Sequence, residues 1–271
     1  MPNKAIRSEA RTLMRCAKVP AARFTLFYLG LRLLFDEVRV ALDNMTQQEL
    51  PVMDPETMQP DELLRAFASL FTAQTTAQWA VLFLSIFIVL LIQVLSVGYK
   101  CYCLGVARGE TMPYESLFDA FSFVGKTLGL TLLLTFLISA GLSFFFVPGV
   151  LFYFMYRFSL HNLCTDPSIG IFTAMKRSRL QTDGHKRALF SLELSFLPLL
   201  LLMLVADYLA SSLFSPLFPY SLVGDLLFTL CASLPVLIVS AYLTPYRELS
   251  FAVYFTKLTQ SEELTPTASD S

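Results

Sequence analysis

Charge is scarce in this chain. Only 15% of the residues are charged, against about 25% in soluble domains. Histidine occurs twice and tryptophan once. No GxSxG, HExxH, P-loop or dinucleotide fingerprint is present, so no catalytic motif names a reaction. His161 and His185 stand 24 positions apart with no Cys or Asp pattern around them, which argues against a metal site. The five cysteines include no CxxC pair; Cys101-Tyr102-Cys103 comes nearest. They read as reduced thiols on the inner side or within the membrane. Net charge is −1, so overall charge implies no nucleic-acid partner. No cofactor is expected, and no enzyme.

Hydrophobicity is abundant. Apolar residues make up 55% of the chain, and mean hydropathy is +0.60. They fall in blocks of roughly 20, enough to cross about 30 Å of hydrocarbon as helix. The reading is an all-α integral membrane protein with six transmembrane helices, at 24–42, 78–99, 127–147, 149–163, 188–208 and 222–243. Lys and Arg alternate sharply between the connecting segments. Placing both termini inside puts 17 cations on the cytoplasmic side and only Arg65 outside, with Arg32 and Arg39 left in the first block; the positive-inside rule favours that orientation. The first block follows a long basic stretch and reads as a crossing, not as a cleavable leader. Residues 1–23 form a basic cytoplasmic amphipathic helix, 24–255 the membrane domain and 256–271 a polar cytoplasmic tail.

Residues 127–156 carry no charge over 30 positions, too long for one crossing and short for two. If Pro148-Gly149 only kinked the chain, Lys126 and the cations from Arg157 onward would face opposite sides. The charge bias therefore makes Pro148 and Gly149 a tight hairpin between helices three and four. Two forms satisfy that logic. The returning segment crosses fully, with Arg157 snorkelling, or the hairpin is re-entrant and never reaches the far side.

On a helix at about 100° per residue, Lys4, Arg7, Arg11, Arg15 and Lys18 share an arc of about 80°, opposite Ile6, Ala10, Leu13 and Met14. Asn3 suits an N-cap, and Pro20 ends the run. Those cations read either as contacts to anionic inner-leaflet lipid or as topology determinants alone. Further helices are expected from Pro60 in the acidic outer segment, and over 168–182 with Gly184 as its stop. The second has an unclean apolar arc of Ile169, Ile171, Phe172, Met175 and Leu180. Asn44-Met45-Thr46 fits a glycosylation sequon.

Several motifs in order give the chain a resemblance: Pro148-Gly149, Tyr156-Arg157 with Ser159, Pro167 with Ile169-Gly170, and Ala174 with Ser178. Gly184-His185-Lys186, Phe190, Leu192 to Phe196 and Pro245-Tyr246 follow. Over 121–255 it resembles a bacterial membrane family known only as domain of unknown function 975. Arg187 stands where that family often has Trp, and Glu193 where it usually has Asp. The resemblance implies a six-span protein of the bacterial plasma membrane and implies no activity.

Charges inside the bilayer are costly and face partners. Arg32, Asp36 and Glu193 form a candidate buried charge site. Arg32 lies about 12 Å and Glu193 about 7.5 Å from the inner boundary at about 1.5 Å per residue. They read either as an ion pair, with Asp36 competing, or as a snorkelling arginine and a hydrated acid. Tyr156-Arg157 and Tyr246-Arg247 recur 90 positions apart, each closing a helical pair. The expected function is a membrane accessory or interaction protein, partnered by further copies of itself or by other membrane proteins. The alternative is a small oligomeric transporter or channel using buried charge. A lipid-modifying enzyme is disfavoured by the missing acid, His or Ser cluster.

Overall fold

The computed structural model describes residues 3–16, 20–46, 76–144, 146–214, 217 and 222–264. The helix expected from Pro60, Lys18, the side chains of the Asn44 sequon and the chain after 264 lie outside them. Every regular element among the described residues is helical: α1 (Asn3–Cys16), α2 (Ala21–Thr46), α3 (Thr76–Ala107), a 3-10 helix (Tyr114–Phe123), α4 (Val124–Phe144), α5 (Phe146–Met155), α6 (Ser159–Thr165), α7 (Ile171–Thr182), α8 (Lys186–Leu194), α9 (Leu197–Phe214) and α10 (Leu222–Leu264). Three stretches of the described residues are long and apolar enough to cross a membrane: Gln78–Ala107, Tyr114–Phe144 and Lys186–Phe214.

The chain divides into two compact units. The smaller, Gly30–Gln93, holds most of α2 and the first part of α3. Its large side chains, Phe83 and Phe87 among them, are largely exposed. The larger unit takes the rest. At its amino-terminal end Phe24 stacks on Tyr102, with ring centroids 3.6 Å apart, and Tyr28 on Tyr99 at 4.6 Å. The hydroxyls of Thr25 and Tyr99 are bonded at 2.8 Å.

The spine of this unit is α10, whose 43 residues make a rod of about 65 Å, twice a hydrocarbon core. The helix continues through Pro235 and Pro245. Leu249, Phe251, Ala252, Tyr254 and Phe255 are all fully buried. A helix apolar on every side belongs at the centre of a core, so the most buried part of α10 lies beyond the expected span 222–243. The segment read as a polar tail from 256 stays helical to Leu264, with Leu258 buried. Phe158 and His161 pack on Phe255, at 5.3 and 5.5 Å, and Phe196 meets Tyr246 edge-on.

Two expectations change here. Pro148 and Gly149 lie inside α5, not in a turn of their own. Proline is tolerated in a first helical turn because the N–H it lacks has no partner there. α4 and α5 lie side by side through glycines: a Cβ on Gly149 would come within 2.7 Å of the Leu142 backbone nitrogen, and one on Gly141 within 2.9 Å of Gly149 Cα. The expected span 149–163 is broken at 156–158 into α5 and α6.

Candidate functional site

The turn after α5 is stabilised by α7. Ser178 and Thr182 donate their hydroxyls to the Met155 carbonyl at 3.0 and 3.1 Å. The Phe158 N–H donates to Ser178 Oγ at 3.1 Å, and Asn162 and Gln181 exchange amide hydrogen bonds at 2.9 and 3.2 Å. These bonds satisfy the backbone groups that a broken helix frees. They also explain the unclean wheel of this segment. Its buried face is Ala174, Met175, Ser178, Gln181 and Thr182, while Phe172 and Leu180 point outward. The helix ends at Thr182, just before Gly184 at φ +75°.

That turn delivers Arg157 to α10. The Arg157 guanidinium lies over the Phe251 ring, 4.2 Å from its centroid, and over Tyr153 at 5.3 Å. Its Nη2 stands 3.5 Å from Glu248 Oε1. Arg247, the residue before Glu248 on α10, reaches the same Glu248 oxygen at 3.6 Å. Arg247 also donates to Glu193 Oε1 from Nε at 2.9 Å and from Nη2, and to the Tyr153 hydroxyl at 3.2 Å. Three helices, α5, α8 and α10, and the turn after α5 thus meet in one charged network.

The network is shielded. The Arg157 and Glu248 side chains are 9% and 11% exposed. Burial alone would raise the Glu248 carboxyl pKa, but Arg157, Lys100 and Arg247 outweigh it and draw it down to about 2. Burial would lower the Arg247 pKa, and Glu248 and Glu193 together raise it instead. Several atoms remain without hydrogen-bond partners among the described residues: Arg157 Nε and Nη2, Glu193 Oε2, Glu248 Oε2 and both His161 nitrogens.

Glu193, one of the three charges singled out from depth alone, therefore takes Arg247 as its ion-pair partner. Arg32 and Asp36 do come together, 3.7 Å apart, with Arg39 on the other side of Asp36 at 3.8 Å. These three lie in the smaller unit, and the Arg32 and Asp36 side chains are 51% and 40% exposed. Arg157, Arg247 and Glu248 were read from sequence as inner-side charges or not at all. The signal was the recurring Tyr-Arg dipeptide: both arginines converge on Glu248.

The basic amino-terminal helix is docked. Ile6 and Ala10 are buried, Asn3 donates to the Ala188 carbonyl at 3.4 Å, and Lys257 pairs with Glu9. Arg11 lies over the Tyr246 ring at 5.0 Å. Arg7 is half-buried, and Lys4 and Arg15 stay exposed. No group of three or more metal-ligating side chains converges among the described residues.

Residues 142–262 match the family model described as Protein of unknown function (DUF975). No curated protein and no solved structure matches the chain.

Proposed function

Since residues 142–262 match a family model whose description carries no activity, we propose from geometry that this is a multi-pass membrane accessory or interaction protein and not an enzyme. It sits in the bacterial plasma membrane with both termini inside, as its cation distribution and family resemblance support. One observation carries the reading: both carboxylates of the network are met by arginines of the same fold. The charges clamp helices together and are not held open for a solute.

The same network supports a shallow hairpin. If α10 crosses over 222–243, Glu248 stands near the inner boundary, and so does Arg157. From there α5 reaches back only 10 residues, about 15 Å and half the hydrocarbon thickness. The α4–α5 pair is then re-entrant, with four full crossings elsewhere, and the charge bias is unchanged. Its tip is apolar, and Phe144, Val147 and Leu151 are exposed, which suits contact with lipid better than the lining of a water path.

The transporter reading draws on Lys100, which brings a third cation to a site with two carboxylates. Ion flux through purified protein in vesicles separates the two. The accessory reading expects flux equal to that of protein-free vesicles. Flux above that level, abolished by Lys100→Gln, would establish the transporter.

A further inference from the structure

The cysteines, expected to be reduced, include one bonded pair. Cys101 on α3 and Cys164 on α6 form a disulfide across 63 positions, with Cα atoms 5.4 Å apart. Both are half-buried, and both line a cleft of about 460 Å³. Leu104, Met112 and Phe118 give the cleft apolar walls, and Arg108, Glu110 and Asp119 line it as well. Arg108 donates to Thr165 Oγ1 at 2.7 Å, beside Cys164. The nearest thiol in sequence, Cys103, is buried and lies about 200° around the helix from Cys101. Among the described residues, no other cysteine lines the cleft.

We propose that Cys101–Cys164 is a thiol–disulfide exchange site and that its cleft admits a small neutral thiol. Disulfides in a reducing compartment are characteristically transient, catalytic or sensing; this step of the argument rests on the inward orientation proposed above. An incoming thiolate attacks one cysteine sulfur, and the Sγ–Sγ bond breaks. The attacked sulfur enters a mixed disulfide, while the other leaves as thiolate and takes a proton from water. A second external thiolate attacks the mixed disulfide, releasing an external disulfide and the second cysteine thiol. Two electrons thus pass from two external thiols to the protein. Arg108 favours thiolate in the cleft, and Glu110 and Asp119 disfavour a thiol that carries its own negative charge. Reduction unties α6 from α3.

The test uses the full chain in inverted membrane vesicles. Samples are incubated with 2-mercaptoethanol or thioglycolate, acid-quenched, and tagged with a maleimide of high mass. The neutral thiol should add two tags over the untreated protein, and thioglycolate at equal concentration should add them more slowly. Cys164→Ser should trap 2-mercaptoethanol on Cys101 after mild oxidation, and Cys103→Ser should leave the profile unchanged. A pair that stays untagged with neutral thiol, a pair fully tagged even after incubation with hydroxyethyl disulfide, or a profile lost in Cys103→Ser would overturn the proposal. Reduction by an impermeant thiol only from the opposite membrane face would keep the exchange site and overturn the orientation.

Discussion

Arg247 donates from both Nε and Nη2 to a single oxygen of Glu193, Oε1. Oε2 of the same carboxylate is buried with no hydrogen-bond partner among the described residues. The contact is therefore side-on and not the two-pronged fork that arginine makes with a free carboxylate. The geometry is set by the third member: Arg247 also turns Nη1 toward Glu248, which shares its oxygen with Arg157. One arginine divided between two acids ties α8 to α10, and one acid divided between two arginines ties α10 to the turn after α5.

Acid should loosen this knot. The Glu248 carboxyl is held at about 2 against an ordinary value of 4.5. Its contribution is complete above the ordinary value and fades as pH falls from there toward about 2, because the unfolded chain takes up the proton first. Thermal unfolding in detergent should therefore move to lower temperature as pH falls from about 4.5 toward about 2. Glu248→Gln should be less stable at neutral pH and flatter across that range. An equally steep acid response in Glu248→Gln would remove Glu248 as its source.

Ser178→Ala should destabilise by about 1–3 kcal/mol, since it strands the buried Phe158 N–H and deprives the Met155 carbonyl of one donor. Thr182→Ser keeps the second donor and should be near neutral. Chemical-denaturation midpoints of the two variants in detergent check the contrast.

The hairpin makes a positional prediction. A cysteine at Phe144, in a background without native cysteines, should resist impermeant maleimide applied from either face of the membrane. Rapid labelling from outside would mean a full crossing. Gly149→Ala should cost about 1–3 kcal/mol, as overpacking does, because the added methyl meets the Leu142 backbone. Its thermal midpoint should fall accordingly.

Much of the fold was legible because membranes impose simple rules. Apolar length marked the helices, and Gly184 marked the end of α7 through its positive φ. The amphipathic α1 followed from its wheel, though its apolar residues Ile6 and Ala10 turned out to be buried by protein, while Glu9 and Asn3 hold Lys257 of α10 and Ala188 of α8. The hidden part was the second half of α10. Leu249–Phe255 is too short and too close to Arg247 and Glu248 to read as a further span. Its burial depends on Phe158 and His161 arriving from a distant segment. The partner of Glu193 was hidden for the same reason: depth along a helix limits which charges can meet but does not choose among them. The polar face of α7 was missed because its serine, threonine and glutamine serve a backbone break that hydrophobic patterning cannot report.

Lys4 and Arg15 remain free to meet lipid while Ile6 and Ala10 are occupied by protein. If α1 serves as a basic platform, Lys4→Gln with Arg15→Gln should weaken retention of anionic lipid by the purified protein, most clearly at low salt. It should leave the thermal midpoint unchanged. Equal retention of anionic and neutral lipid by the wild type would exclude an electrostatic role.

The central claim is that the charges of Arg157, Arg247, Glu193 and Glu248 hold helices together. A double-mutant cycle at Arg247 and Glu193, read as thermal stability in detergent, tests it most directly. Arg247→Gln should cost on the order of 3 kcal/mol, because it leaves the Glu193 carboxylate uncompensated; Glu193→Gln should cost less, since Arg247 keeps Glu248. The double variant should lose much less than the sum, giving a coupling of about 1–3 kcal/mol. Additive losses, or two single variants as stable as the wild type, would contradict the claim.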